Sequence, residues 1–115
     1  MNFIVELAGK PLIEDCKKRH AHLRMRLDAF VRTVEHASWQ TPIDLKGSFG
    51  NADPVASFYI IDVGGKKGAR IIVTIRFIEQ KVIVVRIFTD HDEYERWSRK
   101  AIADHDRSRE RGKRQ

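Results

Sequence analysis

The chain has 115 residues, 42% hydrophobic and 33% charged, which allows one buried core and excludes two. Its net charge of +6 and isoelectric point near 9.8 favour polyanionic partners. A single cysteine, Cys16, excludes an internal disulfide and a zinc site of several thiolates. There is no signal-peptide pattern and no run of the roughly 18–20 apolar residues a membrane span needs, so the expected compartment is cytoplasmic and no membrane partner is expected. The positive charge is unevenly spread. Residues 99–115 hold seven basic and three acidic side chains, a surplus of four, which leaves a surplus of two for residues 1–98.

Residues 2–7 read as a short strand, ended by Gly9-Lys10-Pro11. Pro11 suits the first turn of a helix, where its missing N–H is not needed. Residues 12–19 form a short helix, with Cys16 as a small buried hydrophobe and Leu12 and Ile13 facing the core. Residues 20–37 form a longer one, with Leu23, Leu27, Phe30, Val31 and Val34 at helical spacing and Arg24, Arg26, Arg32 and Glu35 outward. So short a connection folds the two into an N-terminal helical hairpin lying on a sheet. Thr41-Pro42-Ile43-Asp44 is a compact helix start, with Thr41 as cap and Asp44 three residues on, expected to give a single turn. Trp39 before it reads as a core lid. Residues 44–54, rich in Gly, Asn, Asp and Pro, read as an ordered loop.

Three β-branched runs follow, at residues 58–63, 70–78 and 82–88. Gly64-Gly65-Lys66-Lys67-Gly68 makes the first hairpin loop and Glu79-Gln80-Lys81 the second. Alternation points Ile71, Val73, Ile75 and Phe77 one way, and Arg70, Ile72, Thr74, Arg76 and Ile78 the other. In the next strand Arg86 is expected to share a face with Val82, Val84 and Phe88. One face is then continuously apolar and receives the helices, while the other mixes apolar residues with three arginines. Asp90 can cap a closing helix with Glu93 three residues on, and Tyr94, Trp97 and Ala101 line its inner side. The expected architecture is α+β, an N-terminal helical hairpin on a small antiparallel sheet with a C-terminal helix. Residues 1–103 form one domain, and residues 104–115 form a basic tail with no apolar residue to pack, expected to be disordered.

No metal site suggests itself, since only His20 and His22 approach a ligand spacing, and no cofactor is implied. Gly64-Gly65 joins two strands and lacks the phosphate-loop pattern. What remains is a concentration of phosphate-capable and proton-transferring groups in one sheet region: Lys66, Lys67, Arg70, Arg76, Arg86, His91 and Tyr94. Arginine offers a planar fork for phosphate. His91 can serve as general acid or base, and Tyr94 can hydrogen-bond a phosphate or stack on a base. The competing reading is a well-made core with solvated arginines and lysines, a surface histidine and a core tyrosine. The residues alone support a small basic α+β domain with a candidate RNA-binding edge.

The order of these pieces resembles the HigB-type toxins of bacterial type II toxin–antitoxin systems, within the RelE-like group of mRNA interferases. The resemblance rests on Trp39, Thr41-Pro42-Ile43-Asp44 with Lys46, Ala52-Asp53, Ile61-Asp62-Val63-Gly64-Gly65, Arg70-Ile71-Ile72, and the run from Arg86 through Phe88, His91 and Tyr94 to Glu95. It implies helices on one side of a small antiparallel sheet. It also implies a metal-independent, ribosome-dependent mRNA endoribonuclease, in which a ribose 2′-OH attacks the adjacent phosphate. Carried over by position, Lys46, Arg70 and Arg86 would contact phosphate, His91 would move protons, and Tyr94 would stack or hydrogen-bond. The implied partners are mRNA, the ribosome and a helix-turn-helix antitoxin. The chain departs from the family pattern in a loop one residue longer before Arg70, in Ala69 replacing an aromatic residue, and in Asp62 and Asp90 where Asn and Thr are common. An RNA- or ribosome-binding protein without catalysis, and a purely structural subunit, are the readings from other classes.

Overall fold

The computed structural model describes residues 5–64 and 67–113, with side chains to position 108. A short strand, Glu6–Ala8 (β1), opens the described chain, and the start of the strand expected over residues 2–7 lies outside it. Gly9 then turns the backbone with φ +90°, and a β-carbon there would lie 2.6 Å from the Val84 carbonyl oxygen, so only glycine fits. Helix α1 (Lys10–Arg19) starts with Pro11 in its first turn and buries Ile13 and Cys16, while Leu12 is half exposed. Burial pushes the Cys16 thiol up from its ordinary range, and the Asp15 carboxylate adds to the rise. One 3-10 turn at Ala21–Leu23 leads into α2 (Arg24–Glu35), which buries Leu27, Phe30 and Val34. Ion pairs Lys10–Glu35 at 2.9 Å and Lys17–Asp28 at 2.7 Å tie α1 to α2.

Helix α3 (Pro42–Ser48) is capped as its sequence expects: Asp44 N–H donates to Thr41 Oγ1 at 3.4 Å, and Gln40 N–H to Asp44 Oδ2 at 3.0 Å. It runs for seven residues, where the sequence reading expected one turn, because buried Leu45 anchors its second half. Trp39 is buried, and its indole N–H donates to Ser48 Oγ at 2.8 Å.

The sheet continues with β2 (Asp53–Val55), β3 (Phe58–Gly64), β4 (Ala69–Arg76) and β5 (Lys81–Phe88), in the order β1-β5-β4-β3-β2. Two expectations are corrected here. The sheet is mixed, since β1 runs parallel to β5 while the other pairings are antiparallel. The helical crossover between β1 and the rest of the chain makes a parallel return possible. Strand β2 lies in a stretch read as loop, its Pro54 tolerated because this strand is the sheet edge.

The faces need a third correction. Arg86 pairs with Ile72, yet Val84 pairs with Val73, so Val85 is an extra residue in β5. Such a bulge shifts the pleat by one and exchanges the faces on its two sides. Val82 and Val84 therefore join the helix-side core with Ile71 and Val73, while Arg86 and Phe88 turn to the opposite face. Helix α4 (His91–Lys113) covers part of that opposite face, so helices lie on both sides of the sheet. Ile60, Ile72 and Phe88 are buried there against Tyr94 and Trp97. The helix also continues past position 104, where the sequence reading placed a disordered tail. Lack of apolar residues removes packing, but this run contains no proline and carries an Asp104–Arg107 pair at 3.4 Å along the helix.

Candidate active site

One corner of the α4-side face gathers groups from the β3–β4 loop, the start of β4 and the first turns of α4. Asp90 fixes where α4 begins: its Oδ1 accepts the Asp92 N–H at 2.8 Å, and its carbonyl accepts the Tyr94 N–H at 3.2 Å. The His91 N–H donates to the Lys67 carbonyl at 2.9 Å, which fastens the loop to the helix. On the loop side, the Gly64 N–H donates to Asp62 Oδ1 at 2.7 Å. Arg70 Nη1 donates to the Gly68 carbonyl at 2.9 Å and lies 3.6 Å from Asp62 Oδ2. Its guanidinium sits over the Tyr94 ring, 5.2 Å from the centroid.

Gly68 lies between the two chemical groups. Its φ is +68°, and a β-carbon there would meet Arg70 Nη1 at 3.3 Å, His91 Cβ at 3.6 Å and His91 Nδ1 at 3.9 Å. The His91 ring is oriented by Glu95, one helical turn on, whose Oε1 lies 3.1 Å from Nε2. A carboxylate only accepts, so Nε2 carries the proton and the neutral imidazole keeps its lone pair on Nδ1, the nitrogen near Gly68. The corner thus joins a half-buried guanidinium held by three partners to an exposed imidazole with one nitrogen available for proton transfer.

The other candidates are placed differently. Arg86 is on the same face, diagonal to Arg70 across the β4–β5 pair. Its guanidinium lies 5.0 Å from the Phe88 centroid, and Phe88 contacts Tyr94, so Arg70 and Arg86 are linked through two aromatic rings and not through a shared partner. Lys67 is exposed at the corner, and Lys66 lies outside the described residues. Arg76 stands at the far end of β4, six residues or roughly 20 Å along the strand, paired with Glu79 at 3.4 Å. Lys46 is exposed on α3, which packs in the helical layer on the opposite side of the sheet. Sequence reasoning missed Glu95 and Asp62 as partners of the two central groups. The spacing of Glu95 four residues after His91 was the available signal.

The model of the HigB toxin family, described as the RelE-like toxic component of a toxin–antitoxin system, matches residues 23–97. The chain belongs to this family. The match runs from the end of the 3-10 turn to Trp97 and so contains α2, α3, strands β2 to β5 and the whole corner. No curated protein matches the chain. As a HigB-family toxin the chain has a cognate antitoxin as its implied partner. Among the described residues, no helix is long and apolar enough to cross a membrane, and no three His, Cys, Asp or Glu side chains group to hold a metal ion.

Proposed function

We propose that this HigB-family toxin is a metal-independent endoribonuclease that cuts mRNA on the ribosome, in the cytoplasm, and so arrests translation and growth. The observation that carries the reading is the meeting of Arg70 and His91 around Gly68. In the reaction the ribose 2′-oxygen attacks the adjacent phosphorus and the 5′-oxygen leaves, giving a 2′,3′-cyclic phosphate and a 5′-hydroxyl. One proton leaves the 2′-OH and one reaches the departing oxygen. Arg70, and Arg86 with a modest swing from Phe88, stabilise the charge that builds on the phosphoryl oxygens. His91 moves a proton through Nδ1. Tyr94 stacks on a base or hydrogen-bonds the phosphate. Lys46, Lys66, Lys67 and Arg76 hold flanking phosphates, and a helix-turn-helix antitoxin neutralises the protein. Domain residues 1–103 carry the chemistry, and residues 104–115 add a basic extension.

Expression of the chain in a bacterial host tests this. Growth arrest that Arg70→Ala or His91→Ala relieves, at equal levels of folded protein, supports the nuclease. Arrest that persists undiminished in both variants rules catalysis at this corner out. A second reading, an RNA- or ribosome-binding protein without catalysis, is favoured by one feature: the two arginines sit on separate rings and, among the described residues, share no partner.

A further inference from the structure

Beyond Trp97 the surface of α4 that faces the sheet changes character. Tyr94 and Trp97 are large apolar anchors, but beyond them the same stripe carries only the small Ala101 among Lys100, Asp104 and His105. A stripe that packed on a sheet would stay apolar. Here the charged residues stand off the strands, and an open groove of about 490 Å³ runs between them and the sheet. Phe58 and Trp97, 5.3 Å apart between ring centroids, form its apolar wall, and Arg86 and Lys100 bring cations to its lining. Among the described residues neither Arg86 nor Lys100 has a carboxylate partner, whereas Asp104 is paired with Arg107.

We propose that this groove is a binding subsite for one nucleotide of single-stranded RNA, with its base against Trp97 and Phe58 and its phosphate between Arg86 and Lys100. The inference rests on the nuclease reading for its choice of RNA, and the groove adjoins the corner, with Arg86 at the boundary between the two. The volume falls within the range of pockets that hold small-molecule ligands. An aromatic wall with cations in the same lining is the arrangement that single strands use, since every base has a π-face and every linkage a charge. A purely apolar partner helix would leave both cations desolvated and unpaired. The path is continuous with the corner, because Trp97 contacts Phe88 and Tyr94, and Arg86 lies over Phe88. The groove would thus hold a nucleotide flanking the one at Arg70 and His91.

The test uses a six-nucleotide, fully 2′-O-methylated oligoribonucleotide, which cannot be cut, and follows tryptophan emission of the full chain. Trp39 is buried and bonded to Ser48, so a change reports Trp97. Saturable quenching is expected, weakening as salt rises. Lys100→Glu should weaken binding about tenfold and flatten its salt dependence, as loss of a phosphate contact does. Lys18→Glu, exposed on α1, should leave it unchanged. Binding without a change in emission, or equal binding by Lys100→Glu, overturns the groove. So does a result in which Lys100→Glu weakens antitoxin capture and not RNA binding. The two proposals fail separately. Quenching in a chain that never cuts RNA keeps the groove and ends the nuclease, and RNA cutting at full rate by Lys100→Glu does the reverse.

Discussion

Arg70 and Ile71 are neighbours in β4 and point in opposite directions. Ile71 is fully buried in a core that β4 shares with α1, α2 and α3. Arg70 turns to the face that α4 only partly covers, where Ile60, Ile72 and Phe88 are buried and aromatic and charged side chains stand among the partly exposed ones. The first face is covered by interlocking apolar side chains of the helices and the strands. The second is incompletely roofed: its large apolar anchors end at Trp97, and beyond them small Ala101 and charged side chains border open space. Stability and chemistry are thus divided between alternate residues of the same strand. That division follows from the period of two in a pleated chain.

The structural role of the helix-side face is greatest at Ile71. Ile71→Ala should cost about 2–5 kcal/mol of stability in denaturant unfolding, as large-to-small core changes do. A cost of only a few tenths would mean the helix-side face is not the core. Arg70→Ala should act in the opposite sense, cutting RNA cleavage about 100-fold or more, roughly 2.7 kcal/mol of barrier, with stability nearly unchanged. Single-turnover cleavage together with an unfolding curve checks both halves. A variant that unfolds along with its loss of activity would place Arg70 among the structural residues.

Gly68→Ala strains the corner without removing a functional group. The residue at φ +68° would cost about 1–2 kcal/mol and press on Arg70 and His91. Cleavage should fall about tenfold with substrate affinity little changed, so the measurement is kcat against KM.

The smallest effect concerns the helical layer. The Lys17 ammonium, hydrogen-bonded to Asp28 and then to Glu14, titrates above its ordinary value of 10.5. A raised value means folding favours the protonated form. The contribution is therefore complete below about pH 10.5 and disappears as pH rises through the folded value. The melting temperatures of the parent and Lys17→Met should differ slightly at neutral pH and converge in strong alkali. A gap that widens there would contradict the pairing.

Much of this division was legible in the sequence. The capped turn at Thr41, the cap at Asp90 and the alternation through β4 are local signals, and each formed as its residues require. What escaped was non-local or compensating. The parallel pairing of β1 with β5 depends on a partner far along the chain. The extra residue at Val85 exchanges faces within an otherwise regular run, so Val82 and Val84 were assigned to the wrong side. Strand β2 is three residues long and holds a proline, which reads as loop until β3 supplies its hydrogen bonds. At the site, Arg70, His91 and Tyr94 converge as a group. Arg76 does not join them, because six positions along a strand carry it to the other end of the sheet.

The most direct test of the corner is cleavage of a defined mRNA in a purified translation system, with the 5′ ends of the fragments mapped chemically. The nuclease account predicts fragments with 5′-hydroxyl ends from the parent chain and from Lys18→Ala, and none from Arg70→Ala or His91→Ala. Intact mRNA with the parent chain, or equal cleavage by Arg70→Ala, would contradict it.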